Sequence, residues 1–122
     1  MTNDLGEILD VERSAARGEY MLARLRELQA QHEPIGDVRG RGLLVGLELV
    51  ENRETRAPAD ALGAAVTREC YERGLSMNIV RSQAHANCFR IAPPLTVTEN
   101  EIDLAVEIMD ASLRAVREPA PA

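Results

Sequence analysis

Cys88-Phe89-Arg90-Ile91-Ala92-Pro93-Pro94-Leu95-Thr96-Val97-Thr98 holds a strand, the device that ends it and the start of a helix. Side chains of an extended segment alternate, so Phe89 and Ile91 share one face while Cys88, Arg90 and Ala92 share the other. Phe89 and Ile91 fill a core, and Arg90 points away from it. Pro93 and Pro94 lack a backbone donor and restrict the residue before each, so they cannot extend a central ladder. The chain leaves the sheet there, with Arg90 near the exit. Two readings of Arg90 stand open: an edge arginine whose stem lies over apolar surface, and a clamp for a carboxylate.

Working outward, Thr98-Glu99-Asn100-Glu101 fits a capping box, in which the Thr98 hydroxyl takes the Glu101 backbone N–H and the Glu101 side chain reaches back. Val97 and Ile102 are spaced for a hydrophobic staple. Ile102, Ala105, Val106, Met109, Leu113 and Val116 then make the buried stripe of a last helix, before a disordered tail at 118–122. On the other side, Arg81 to Asn87 reads as a polar loop, and Leu75 to Val80 alternates as a strand. From about Ala59 a second helix turns Leu62, Ala65, Val66 and Cys70 inward, and Gly74 sits where a left-handed C-terminal cap belongs.

Further upstream, Leu43, Val45, Leu47 and Leu49 alternate with Leu44, Gly46, Glu48 and Val50, a long strand with one strongly apolar face. Gly40-Arg41-Gly42 superficially resembles a nucleotide-binding loop. That fingerprint needs a glycine where Val45 stands and a helix where this strand runs, so the glycines are read as a sharp turn after a short strand at Ile35 to Arg39. Ile8, Val11, Ala15, Leu22, Leu25 and Leu28 mark a first amphipathic helix ending near His32, interrupted by Gly18 and stopped by Glu33-Pro34. The order helix, two strands, helix, two strands, helix predicts an α+β domain: a small, mostly antiparallel sheet with helices packed on one face.

The 122 residues suit one domain with a real core, 45% hydrophobic but with only two tyrosines and one phenylalanine, so Leu, Ile, Val, Ala and Met must fill it. A net charge of -6 argues against a nucleic-acid or anionic-membrane partner. All 14 cationic residues are arginine, and without lysine no chemistry needing a lysine amine can be carried by these residues. Cys70 and Cys88 have no CxxC spacing and read as free, buried thiols. His32 and His85 lie apart from metal-spaced acids, so no metal site is expected. An acidic N-terminus and the lack of a membrane-length apolar run give a cytoplasmic expectation.

Two motifs carry a family resemblance. Gly36-Asp37-Val38-Arg39-Gly40-Arg41-Gly42-Leu43-Leu44-Val45-Gly46-Leu47-Glu48 and Phe89-Arg90-Ile91-Ala92-Pro93-Pro94-Leu95 resemble the C-terminal small domain of class III aminotransferases, pyridoxal-phosphate enzymes of fold type I. Within that family, Ala61-Leu62-Gly63-Ala64 with Thr67-Arg68-Glu69-Cys70, Gly74 to Val80, and Phe89 to Val97 followed by Glu101-Ile102-Asp103-Leu104 look most like 2,2-dialkylglycine decarboxylase. The resemblance implies that Arg90 binds the substrate's α-carboxylate, and Ser76 and Asn78 are candidates to line the same cleft. It implies no catalytic or cofactor-binding residue in this chain. The cofactor and its lysine belong to a large domain that these residues do not contain. The expected organisation is 1–34, a helix linking to that domain; 35–117, the small α+β domain; and 118–122, the tail. Expected partners are an amino-acid substrate and the large domain or a homodimer partner. The alternative is a stand-alone, non-catalytic α+β module that binds a small carboxylate or a protein.

Overall fold

The computed structural model describes the backbone of residues 4–82, 85–94 and 96–117, and the side chains of 15–40, 42–77, 87–94 and 96–117. Seven elements follow one another: α1 (Asp4–Gln31), β1 (Ile35–Arg41), β2 (Leu44–Leu49), α2 (Asp60–Glu72), β3 (Asn78–Ser82), β4 (His85–Ile91) and α3 (Glu99–Arg117). The α+β expectation holds. The strands form one antiparallel sheet in the order β1-β2-β4-β3.

Alternation decides which face of the sheet is covered. Val45, Leu47 and Leu49 on β2 and Phe89 on β4 are buried, whereas Leu44, Gly46 and Arg90 are exposed. Leu47 and Phe89 are cross-strand partners at the centre of the sheet, and each contributes about 1.5–3 kcal/mol by its burial. On this face α1 lies over β1 and α2 over β4, while α3 packs between α1 and α2. Met21, Leu25, Leu28, Val66, Cys70, Ile102, Val106, Met109 and Leu113 complete one core with the strands. The opposite face of the sheet is open among the described residues.

The structure departs from the sequence reading in five places. Gly18 does not interrupt α1, which runs through it, because Gly18 is where the helix crosses the β1–β2 turn. The stripe predicted from Ile8 is seen at Leu25 and Leu28, joined by Met21; the side chains of Ile8 and Val11 lie outside the described residues, and Ala15 is exposed. The turn itself is Gly42-Leu43, closed by the Arg41–Leu44 pair, with Gly42 at φ 56, so β2 starts one residue later than its apolar pattern suggests. A two-residue hairpin asks for positive φ at its first centre, which glycine supplies.

The fourth and fifth departures concern β3 and β4. Leu75 to Met77 is not strand, and β3 begins at Asn78. Gly74, at φ 93, caps α2, and the Leu75 N–H donates to the Cys70 carbonyl at 2.8 Å, which ties this stretch to the helix end. The register pairs Asn78 with Arg90, so residues 75–77 would have to pair with 91–93, where the prolines end the ladder. The same prolines stop both strands. Arg81 to Asn87 is likewise not a loop: Arg81 and Ser82 finish β3, and β4 starts at His85.

The helix ends follow local chemistry. The Glu101 N–H donates to Thr98 Oγ1 at 3.1 Å, and the Thr98 N–H donates to Glu101 Oε1 at 3.1 Å, the reciprocal bonds the capping box predicts. Val97 and Ile102 are both buried beside it. The end of α1 has no basic residue in its last turn. Arg53, from the loop after β2, fills that role by donating to the carbonyls of Gln29 at 2.6 Å, Glu33 at 3.1 Å and His32 at 3.2 Å.

Candidate functional site: an arginine on the open sheet face

Arg90 is the penultimate residue of β4. Its backbone pairs with Gly46 of β2 on one side and Asn78 of β3 on the other. Phe89 and Ile91 turn toward the core, so the strand's alternation leaves the Arg90 side chain exposed. No carboxylate among the described residues pairs with it. An unpaired guanidinium, held on a central strand rather than a loop, is a fixed planar array of donors.

A cavity of about 300 Å³ opens at this end of the sheet. Arg90, Ser76, Met77, Ile91 and Pro93 form its strand side, while Met21, Leu25, Val106 and Met109 close it from the helices. Ser76 therefore meets Arg90 at a shared cavity, although Ser76 is in the segment before β3 rather than on a strand. Asn78 is Arg90's neighbour in register; its side chain lies outside the described residues.

Among the described residues, Arg39 and Glu48 of this face are engaged in ion pairs. Arg39 pairs with Asp37 at 2.5 Å, and Glu48 with Arg56 at 3.9 Å. The Arg41 side chain lies outside the described residues. Cys88 Sγ is 4.0 Å from Glu48 Oε2; burial and then the nearby Glu48 carboxylate push this thiol above its ordinary pKa, the opposite of an activated nucleophile. Cys70 is buried, and burial raises it too. Both are free cysteines. Among the described residues no group of His, Cys, Asp and Glu could hold a metal ion, and no helix is long and apolar enough to cross a membrane.

Two features were missed in the sequence reading. His32, where the first helix was expected to end, is 2% exposed and sits between the C-terminal ends of α1 and α3. Arg117 Nη1 reaches His32 Nδ1 at 2.8 Å, and a guanidinium only donates, so Nδ1 accepts. His32 Nε2 then carries the proton and donates to Asp110 Oδ1 at 2.6 Å. The partners lie 78 and 85 residues away, so no spacing could announce them. The second feature is Gly46, directly opposite Arg90; its signal in the sequence is a glycine in the middle of an alternating strand.

The chain is similar to known proteins in sequence and in fold. The family model described as aminotransferase class-III matches residues 8–113. An uncharacterised aminotransferase of Schizosaccharomyces pombe is 43% identical over 103 residues, covering 84% of this chain and 23% of that protein. The taurine–pyruvate aminotransferase of Rhodobacter capsulatus is 42% identical over 107 residues, 85% of this chain and 23% of its own length. Among solved structures, a Bacillus anthracis aminotransferase superposes with a TM-score of 0.83 at 34% identity, over 89% of this chain and 25% of that one. The chain thus spans about a quarter of the length of the relatives it matches. With the family model matching most of its length, the chain belongs to the class III aminotransferase family.

Proposed function

We propose that this chain is the substrate-carboxylate-binding part of a class III, pyridoxal-phosphate-dependent aminotransferase, with Arg90 as the residue that holds the α-carboxylate. The observation that carries the reading is Arg90's setting: an exposed guanidinium on a central strand, on the open face of the sheet and unpaired among the described residues. Two parallel N–H donors match a carboxylate, and a charge-assisted bond of this kind is worth about 1.5–3 kcal/mol. Such a clamp fixes the orientation of an amino acid, and orientation selects the bond at Cα that can react. Ser76, at the cavity that Arg90 also lines, and Asn78, next to Arg90 in register, are the candidates to border the bound ligand.

Pyridoxal phosphate, when bound, supplies the electron sink for chemistry at Cα. These residues do not fit that group by themselves, because the chain contains no lysine to anchor it. The reading therefore assigns the cofactor to a lysine-bearing domain or a homodimer partner outside these residues, makes this chain inactive alone, and divides it into a linking helix at 1–34, a small domain at 35–117 and a tail at 118–122. Mixing the purified chain with a lysine-bearing class III cofactor domain tests it. Transamination between an amino acid and pyruvate should appear only in the mixture, and an inactive mixture of two folded parts would contradict the reading.

A finer reading is supported by the likeness of residues 61–64, 67–70, 74–80, 89–97 and 101–104 to 2,2-dialkylglycine decarboxylase: release of CO2 and a ketone from a doubly substituted amino acid, followed by transamination with pyruvate. CO2 release from 2-aminoisobutyrate by the same mixture distinguishes it from transamination alone.

A further inference from the structure

Three glycines of this chain are held to glycine by close neighbours. A Cβ at Gly18 would meet the Gly42 carbonyl oxygen at 2.0 Å, one at Gly36 a Val50 methyl at 2.7 Å, and one at Gly40 the Leu44 carbonyl oxygen at 2.7 Å. Gly46 has no such reason. Its φ is not in the positive region, and a Cβ there would find only the Arg39 carbonyl oxygen, at 3.9 Å, an ordinary contact. Yet it sits in the middle of β2, where glycine gives up side-chain packing and costs more backbone entropy than any other residue. Nothing among the described residues requires that cost.

A glycine inside a strand marks, among other things, a place where a ligand or another backbone comes close. The register puts Gly46 directly opposite Arg90, and alternation puts both on the open face, with Val45 and Leu47 turned into the core. Side chains directly opposite each other on neighbouring strands stand about 4.5–5.5 Å apart at Cβ. Any side chain at 46 would occupy the space beside the Arg90 stem that a ligand on its guanidinium needs.

We infer that Gly46 is a specificity-determining residue of the Arg90 site: its bare backbone is the floor over which a carboxylate lies while Arg90 holds it. This rests on the reading of Arg90 as the carboxylate residue. The ligand class is a compact carboxylate, such as a 2-oxo acid or α-amino acid, whose atoms next to the carboxylate pass over position 46. A bulkier residue there would exclude it without touching the arginine.

Pyruvate titrated into the whole 122-residue chain, followed by the Arg90 Nε–H resonance, tests the inference. Wild type should show a saturable shift. Gly46→Val should retain or raise the thermal midpoint, because β2 gains a better strand former, while weakening pyruvate at least fivefold; Gly46→Ala should fall between them. Arg90→Gln, followed by the neighbouring Gly46 and Asn78 amides, should lose the response. If Gly46→Val binds pyruvate like wild type while Arg90→Gln does not bind it, the inference fails and the reading of Arg90 survives, with the glycine then serving the approach of another backbone. If wild type shows no saturable shift, or Arg90→Gln still binds, both fall.

Discussion

Gly18 of α1 lies so close to Gly42 in the β1–β2 turn that a Cβ at position 18 would come within 2.0 Å of the Gly42 carbonyl oxygen. Alanine at an ordinary glycine inside a helix gains roughly 1 kcal/mol. Here the neighbour is backbone, which cannot swing aside, so the sign reverses: Gly18→Ala should destabilise by about 1–3 kcal/mol. Urea denaturation of the two proteins checks this, and an equal or higher midpoint for the variant would show that the helix does not cross the turn at contact distance.

The start of α3 rests on the reciprocal bonds between Thr98 and Glu101. Thr98→Ala removes the acceptor for the Glu101 N–H and should cost about 1 kcal/mol. Glu101→Gln keeps an oxygen for the Thr98 N–H and should cost much less, since either residue completes the box. Chemical denaturation of both variants should rank them in that order.

Asp110 connects pH to the packing of α3 on α1. Burial alone would raise its carboxyl; hydrogen bonds from His32 at 2.6 Å and from Arg114 at 3.1 and 3.2 Å outweigh that and hold it below the usual carboxylate range. A carboxyl depressed in the folded state contributes stability fully above its unfolded value, about 3.9, and loses it as pH falls through the folded value. Wild type should therefore lose stability below about pH 4 more steeply than Asp110→Asn, which should also be weaker at pH 7. Thermal midpoints between pH 2 and 7 measure the difference.

Much of this architecture was legible in the sequence because its causes are local. The capping box needs two residues three apart, the apolar face of β2 needs only alternation, and Gly74 sits at the helix end that its φ of 93 serves. What was not legible depends on partners far along the chain. Leu75 to Met77 alternates like a strand, but whether it pairs is decided by Pro93 and Pro94 on the neighbouring strand. Gly18 looks like a helix breaker until Gly42 is placed beside it. Arg90's two readings could not be separated locally either. The sheet order brings Gly46 and Asn78 to its flanks and leaves it exposed, and the family membership lends weight to the carboxylate reading.

The central claim concerns Arg90, and substrate kinetics test it most directly. In an enzyme reconstituted from this chain and a lysine-bearing cofactor domain, Arg90→Ala should raise KM for an α-amino acid roughly 10- to 100-fold, the loss of one or two charge-assisted bonds. An amine donor without a carboxylate should be used as before, and Arg90→Lys should recover part of the loss, since an ammonium keeps the charge but not the paired donors. Unchanged KM and kcat for the α-amino acid in Arg90→Ala would contradict the account.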